Sequence, residues 1–164
     1  CMLLWAVARC AASSDELQEA PRTPALIFPA CLEFLQLRFF RQAARRAVSM
    51  SRRFDLRSWA SLTWSFATLS VCQAEVLKCA SRAVRQDAGQ LSSQEAGNLS
   101  WAVAVLAAGD VALLGAIAGE ACARTSEWEP SHLCNIAWGL VAAGMYCPPL
   151  LEALFREPLP GEAR

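Results

Sequence analysis

The sequence has one histidine, one tyrosine and three methionines, and no excess of either charge, with fifteen basic side chains against fifteen acidic. A lone imidazole, His132, offers no ligand cluster for a metal, and the motifs GxSxG, GxGxxG, HExxH and the P-loop are absent. Carboxylates are sparse and scattered, so no acid–base pair emerges, and neither catalysis nor a cofactor nor a metal is expected. Zero net charge removes any overall pull toward nucleic acid or anionic lipid. Eight cysteines, at 1, 10, 31, 72, 79, 122, 134 and 147, include no CxxC pair. They read as small core residues of a reducing compartment rather than a disulfide or zinc framework. One apolar run, Leu99 to Gly119, approaches the length of a membrane span with only Asp110 charged. Gly109-Asp110 breaks it into two shorter helices with Asp110 as N-cap, and no membrane partner is expected.

What the chain does have is a repeat. Trp64, Trp101 and Trp138 are spaced by 37 residues, and Trp5 lies one period plus 22 residues before the first of them. Residues 54–90, 91–127 and 128–164 form three units that open on Phe54, Leu91 and Trp128. Residues 1–53 read as a degenerate first unit: Met2 to Ala12 supplies one helix, Phe39 to Arg45 the second, and about 13–34 a loop, with Pro21, Pro24 and Pro29 opposing a continuous helix. The chain starts in mid-pattern at Cys1, so it is expected to be a piece of a longer protein.

Spacing makes these units helical. Gln94, Asn98, Trp101 and Val105 step by four, three and four residues along one face, and Leu99, Val103 and Leu106 form a second apolar stripe. A helix apolar on two sides is packed between neighbours. Ser92 with Glu95 forms a capping box, and Pro130 suits a first helical turn. The second helix of a unit carries Val76, Leu77, Ala80 and Val84 on one side and Lys78, Arg82 and Arg85 on the other. The expected fold is all-α, an α-solenoid of stacked helical hairpins with a 37-residue repeat. Trp5, Trp64, Trp101 and Trp138 are expected as its structural core, so that Trp101→Ala would cost about 3 to 5 kcal/mol.

The segments NLSWAVAVLAAG from Asn98, NIAWGLVAAG from Asn135 and SLTWSFATL from Ser61 resemble the NxAWAxAxxG helix of organellar RNA-binding helical repeats. These are the octotricopeptide and heptatricopeptide repeats of algae and protists, the helical regions of FAST-kinase-domain proteins, and subunits of the kinetoplastid RNA-editing substrate-binding complex. The resemblance covers about residues 54–155. It implies RNA binding in mitochondria, with plastids or cytoplasm as alternatives, in transcript processing, stability or editing. It brings no residue code, and the RAP or nuclease-like module that often accompanies such repeats is not seen.

Two sets of residues are candidates for that role. Residues 1–53 hold a net charge of +4. Arg41 and Lys78, like Arg45 and Arg82, are 37 apart, which stacking turns into a ladder. With Arg38, Arg46 and Arg85, and with Arg52 and Arg53 nearby, the ladder is either a stripe tracking an RNA backbone or a solvated helix face. Ser61, Asn98 and Asn135, three residues before each tryptophan, either read base edges or hydrogen-bond a neighbouring helix to fix the stacking register. The expected partner is single-stranded RNA, with protein partners in an RNA-processing complex. The competing reading is a HEAT- or armadillo-like protein-interaction scaffold, which the acidic C-terminal half favours.

Overall fold

Side-chain caps mark where three of the helices begin. In the computed structural model, which describes residues 27–156 and the side chains of 38–155, seven α-helices and three single 3-10 turns are present among the described residues, with no strand. Helix α1 is Ile27–Ser49. Helices α2 (Leu56–Thr68), α4 (Ser93–Val105) and α6 (Pro130–Ala142) begin 37 residues apart, and so do α3 (Ala74–Asp87), α5 (Val111–Ala123) and α7 (Pro148–Arg156). The Asp55 carboxylate accepts from the Ser58 backbone N–H at 2.8 Å, Ser92 and Glu95 form the reciprocal capping box, Asp110 accepts from the Leu113 N–H at 2.9 Å, and Pro130 opens α6. Hydrogen bonds from Ser58, its side chain first and its backbone second, hold the Asp55 carboxyl below its ordinary 3.8. The cap therefore supports folding above that value and weakens as pH falls through the lowered one.

The ends of α2, α4 and α6 also share one geometry. Ser70, Ala107 and Gly144, again 37 apart, have φ of 54°, 48° and 72°. Each N–H bonds back to the carbonyl three residues earlier. The next N–H reaches five back, Val71 to Phe66 at 2.9 Å, Ala108 to Val103 at 3.0 Å and Met145 to Leu140 at 2.8 Å. This is the Schellman turn, and only the last copy uses the glycine that it favours. It cuts the apolar run after Val105, and no helix among the described residues is long and apolar enough to cross a membrane.

The helices pack in two layers. Helices α2, α4 and α6 lie side by side, α1, α3, α5 and α7 form the second row, and the core fills the space between. Trp59, Leu62 and Phe66 of α2, Val76 and Val84 of α3, Leu99 and Val103 of α4, Leu113 and Ile117 of α5 and Ile136 of α6 are all buried. Within the first row the backbones meet closely. A Cβ built on Gly139 would lie 2.7 Å from the Ser100 carbonyl oxygen, and one on Gly97 would lie 3.3 Å from that of His132. The residues 37 and 74 before Gly139, Ala102 and Ser65, are also small and buried.

Arg124 fastens successive units. Its Nη1 donates to the carbonyls of Leu91 at 2.9 Å and Gly89 at 3.2 Å, its Nε to Glu127 at 3.2 Å, and its guanidinium lies over the Trp128 ring, 5.2 Å from the centroid. The corresponding residue one period earlier is Asp87, so no pattern in the sequence announced this contact.

Two expectations need correcting. From Ile27 onward the chain is helical where a loop was expected to about residue 34, because Pro29 falls in the first turn, where its missing N–H costs no intrahelical bond. Met2 to Ala12, Trp5 and the rest of the expected loop lie outside the described residues. The repeated tryptophans are not the buried wedge: Trp64 and Trp101 are half-buried and Trp138 is 49% exposed, whereas Trp59 and Trp128 are 1% and 5% exposed. With so little space between α2, α4 and α6, an indole has no room there.

Trp59→Ala is therefore expected to cost about 3 to 5 kcal/mol, and Trp138→Ala less than about 2 kcal/mol. Denaturant melts of the two variants check this order, and equal losses would contradict it. An L-residue in the left-handed region costs roughly 1 kcal/mol or more, partly returned through glycine's greater freedom when unfolded. Ala107→Gly is thus expected to raise stability by about 0.5 to 1 kcal/mol in the same melts; a loss would show that the turn does not tolerate the change for another reason.

Candidate functional site

The outer surface of the α2–α4–α6 row is built from one helical stripe repeated three times. Arg57, Ser61, Trp64 and Thr68 follow one another at steps of four, three and four on α2. Gln94, Asn98, Trp101 and Val105 do so on α4, and Ser131, Asn135, Trp138 and Ala142 on α6. All twelve are exposed or half-buried, while residues between them such as Leu62, Leu99 and Ile136 point into the core. Trp64 and Trp101 meet across the helix boundary with ring centroids 6.3 Å apart and planes inclined at 37°. Beside the Trp64 ring a groove of about 550 Å³ runs between α2 and α4, bordered by Arg57, Ser61, Trp64, Gln94, Glu95 and Asn98.

The asparagine column bears on one of the open alternatives. An amide that fixed the helix register would bond across to the next helix. Neither Asn98 nor Asn135 makes a side-chain hydrogen bond within the described residues, and Asn135 is exposed. The polar contact between neighbouring helices of the row comes instead from His132, whose Nδ1 lies 3.0 Å from the Ser93 hydroxyl and so ties α6 to α4. Among the described residues the donors and acceptors of both amides are unpaired.

The basic residues lie elsewhere. Arg38, Arg41, Arg45 and Arg46 are exposed on α1, and Lys78, Arg82 and Arg85 on the side of α3 opposite its buried Val76, Ala80 and Val84. Lys78 is paired with Glu75 at 2.8 Å, both side chains largely in solvent, a contact worth little. Lys78, Arg82, Arg85 and Gln86 border a groove that continues to Asp110 and Ala112 at the start of α5. Arg82 also borders a second groove, shared with Arg52. The basic side chains of α1 and α3 all lie on the second row of helices, and none of them borders the tryptophan groove. Two helix layers, each about 10 Å thick, separate the basic surface from the tryptophan stripe, so one nucleotide cannot touch both.

Arg57, not among the candidates drawn from the sequence, stands on the tryptophan row, apart from the arginines of α1 and α3. The signal was present: Arg57 is four residues before Ser61 and seven before Trp64, the same spacing that joins Gln94, Asn98 and Trp101. Among the described residues no three His, Cys, Asp or Glu side chains gather as a metal would require. No family model, curated protein or solved structure matches the chain.

The Trp64–Trp101 contact has a spectroscopic signature. Indoles this close couple excitonically, so Trp64→Phe and Trp101→Phe are each expected to remove the same couplet from the far-ultraviolet circular dichroism, while Trp138→Phe leaves it. A couplet that survives Trp64→Phe would place the two rings apart in solution.

Proposed function

We propose that the protein is an RNA-binding helical-repeat module, an α-solenoid with a 37-residue repeat that lays single-stranded RNA across α2, α4 and α6. The observation that carries this reading is the tryptophan column, half-buried at Trp64 and Trp101 and 49% exposed at Trp138, beside amides that make no side-chain hydrogen bond among the described residues. Bases stack on the indole faces of Trp64, Trp101 and Trp138, a contact that every base can make. Ser61, Asn98 and Asn135 meet base edges, which an unpaired strand leaves open. Arg57, exposed on the same stripe, meets a phosphate. The shared register of helix starts, caps and Schellman turns supports the solenoid, because each unit then presents its stripe in the same pose. The resemblance of residues 54–155 to organellar repeats supports a role in RNA processing, stability or editing in mitochondria, or alternatively in plastids.

A second reading, a protein-interaction scaffold, has one observation in its favour. Trp138, Val141, Tyr146 and Phe155, all in the last unit, are 49%, 62%, 77% and 86% exposed. One and two periods before Phe155 stand Ala118 and Ser81, which are 8% and 7% exposed because the following unit covers them. This end of the array has the surface on which a further helical hairpin packs.

A fluorescence titration with unstructured oligouridylate separates the two. RNA binding by stacking predicts quenching of the tryptophan emission and an affinity loss of about 5- to 100-fold in Trp138→Ala, a variant whose fold is spared, with only a moderate dependence on salt. Unchanged binding in Trp138→Ala, with loss in an Arg41→Glu, Arg45→Glu, Arg82→Glu variant, would move the RNA to the second row of helices. No binding at low salt would leave the scaffold reading.

A further inference from the structure

Cys122 and Cys147 are 25 residues apart in sequence, yet their Sγ atoms lie 3.6 Å apart in a half-buried position. Cys122 stands in the last turn of α5, and Cys147 is the residue before α7, accepting from the Leu151 N–H at 3.3 Å. Both are free thiols, as are Cys72, Cys79 and Cys134, but only this pair is in sulfur–sulfur contact among the described residues. A disulfide needs about 2.0 Å between sulfurs, a further approach of about 1.5 Å that side-chain rotation and a small shift of α7 can supply. That helix is the shortest of the seven, nine residues long, and buries Leu150 against α5 and α6 while Phe155 stays in solvent. The segment between the two cysteines contains the whole of α6.

We propose that Cys122 and Cys147 are a redox modification site, closing to a disulfide when a hydroperoxide reaches them and so fastening α7 to α5 in a covalent loop around α6. Burial, and then the neighbouring Cys147, push the Cys122 thiol up to about 11, so at neutral pH it keeps its proton. One of the two sulfurs attacks first: as thiolate it displaces hydroxide from hydrogen peroxide, breaking the O–O bond and becoming a sulfenic acid; the hydroxide takes up the proton that the thiol gave, forming water. The other sulfur next attacks the sulfenic sulfur, the S–OH bond breaks, and its oxygen leaves as a second water with the second thiol's proton. Two thiols and one peroxide give one disulfide and two waters, and a dithiol reductant reverses the change. The closed loop removes freedom from the unfolded chain and holds α6, with its Asn135 and Trp138, between α5 and α7.

Treatment of the purified protein with a small excess of hydrogen peroxide, followed by alkylation and non-reducing peptide mapping, tests this directly. The expected product is lighter by two hydrogens, joins the Cys122 peptide to the Cys147 peptide, and reverts with dithiothreitol. Its melting temperature rises by about 5 to 10 °C. Cys122→Ser and Cys147→Ser each lose both the linked peptide and the temperature rise, while Cys134→Ser keeps them. The proposal is overturned if Cys122 and Cys147 remain alkylatable after exposed Cys134 has been oxidised, if Cys147 proceeds to sulfinic acid without cross-linking, or if the linked peptides pair other cysteines. The wild-type map decides these outcomes whether or not the variants fold.

Discussion

The close approach of α2, α4 and α6 governs the remainder of the structure. Where Gly139 faces the Ser100 carbonyl there is no space for even a methyl group, and the equivalent positions Ala102 and Ser65 are small and buried. Helices that touch through backbone bury their small residues between them, so bulky side chains must go either to the core between the rows or to the open surface. Leu62, Leu99 and Ile136 take the first course and Trp64, Trp101 and Trp138 the second. The aromatic column on the surface is thus a product of the packing.

That constraint explains what the sequence made legible and what it concealed. The period of 37 is visible in the tryptophans alone, and Ser92 with Glu95, Asp110 and Pro130 mark three helix starts in the places where the structure has them. Local chemistry of this kind acts over one turn of helix, so it can be read from neighbouring letters. Orientation cannot be read in that way. A helix such as NLSWAVAVLAAG is apolar on nearly every side, so its pattern does not say which side meets the core. Alanine, glycine and serine, which decide the matter by letting the backbones meet, look like filler in the chain. Ser70 and Ala107 hide the Schellman turns for a related reason, since the glycine that would signal them stands only at Gly144. Arg124 reaches Gly89 and Leu91 across more than thirty residues, with no repeat of itself to betray it.

The two rows also divide the chemistry. One surface carries indoles, amides and Arg57; the other carries the arginines of α1 and α3, in the open and away from the tryptophan groove. On the proposed reading the indoles meet the bases and the arginines attract RNA or hold a flanking segment, since a long strand could meet the second surface only after leaving the first. Repetition gives the first surface its usefulness: three units present nearly the same stripe, varied at one position as Arg57, Gln94 and Ser131 and at the next as Ser61, Asn98 and Asn135. On the proposed reading, such variation is what would distinguish one stretch of RNA from another.

The central claim is that single-stranded RNA lies on the exposed tryptophan stripe. Photocross-linking of the protein to an unstructured RNA carrying 4-thiouridine, with the attached residues identified by mass spectrometry, tests it most directly. The account predicts cross-links at Trp64, Trp101, Trp138 and their neighbours on α2, α4 and α6. Cross-links confined to α1 and α3 would contradict it.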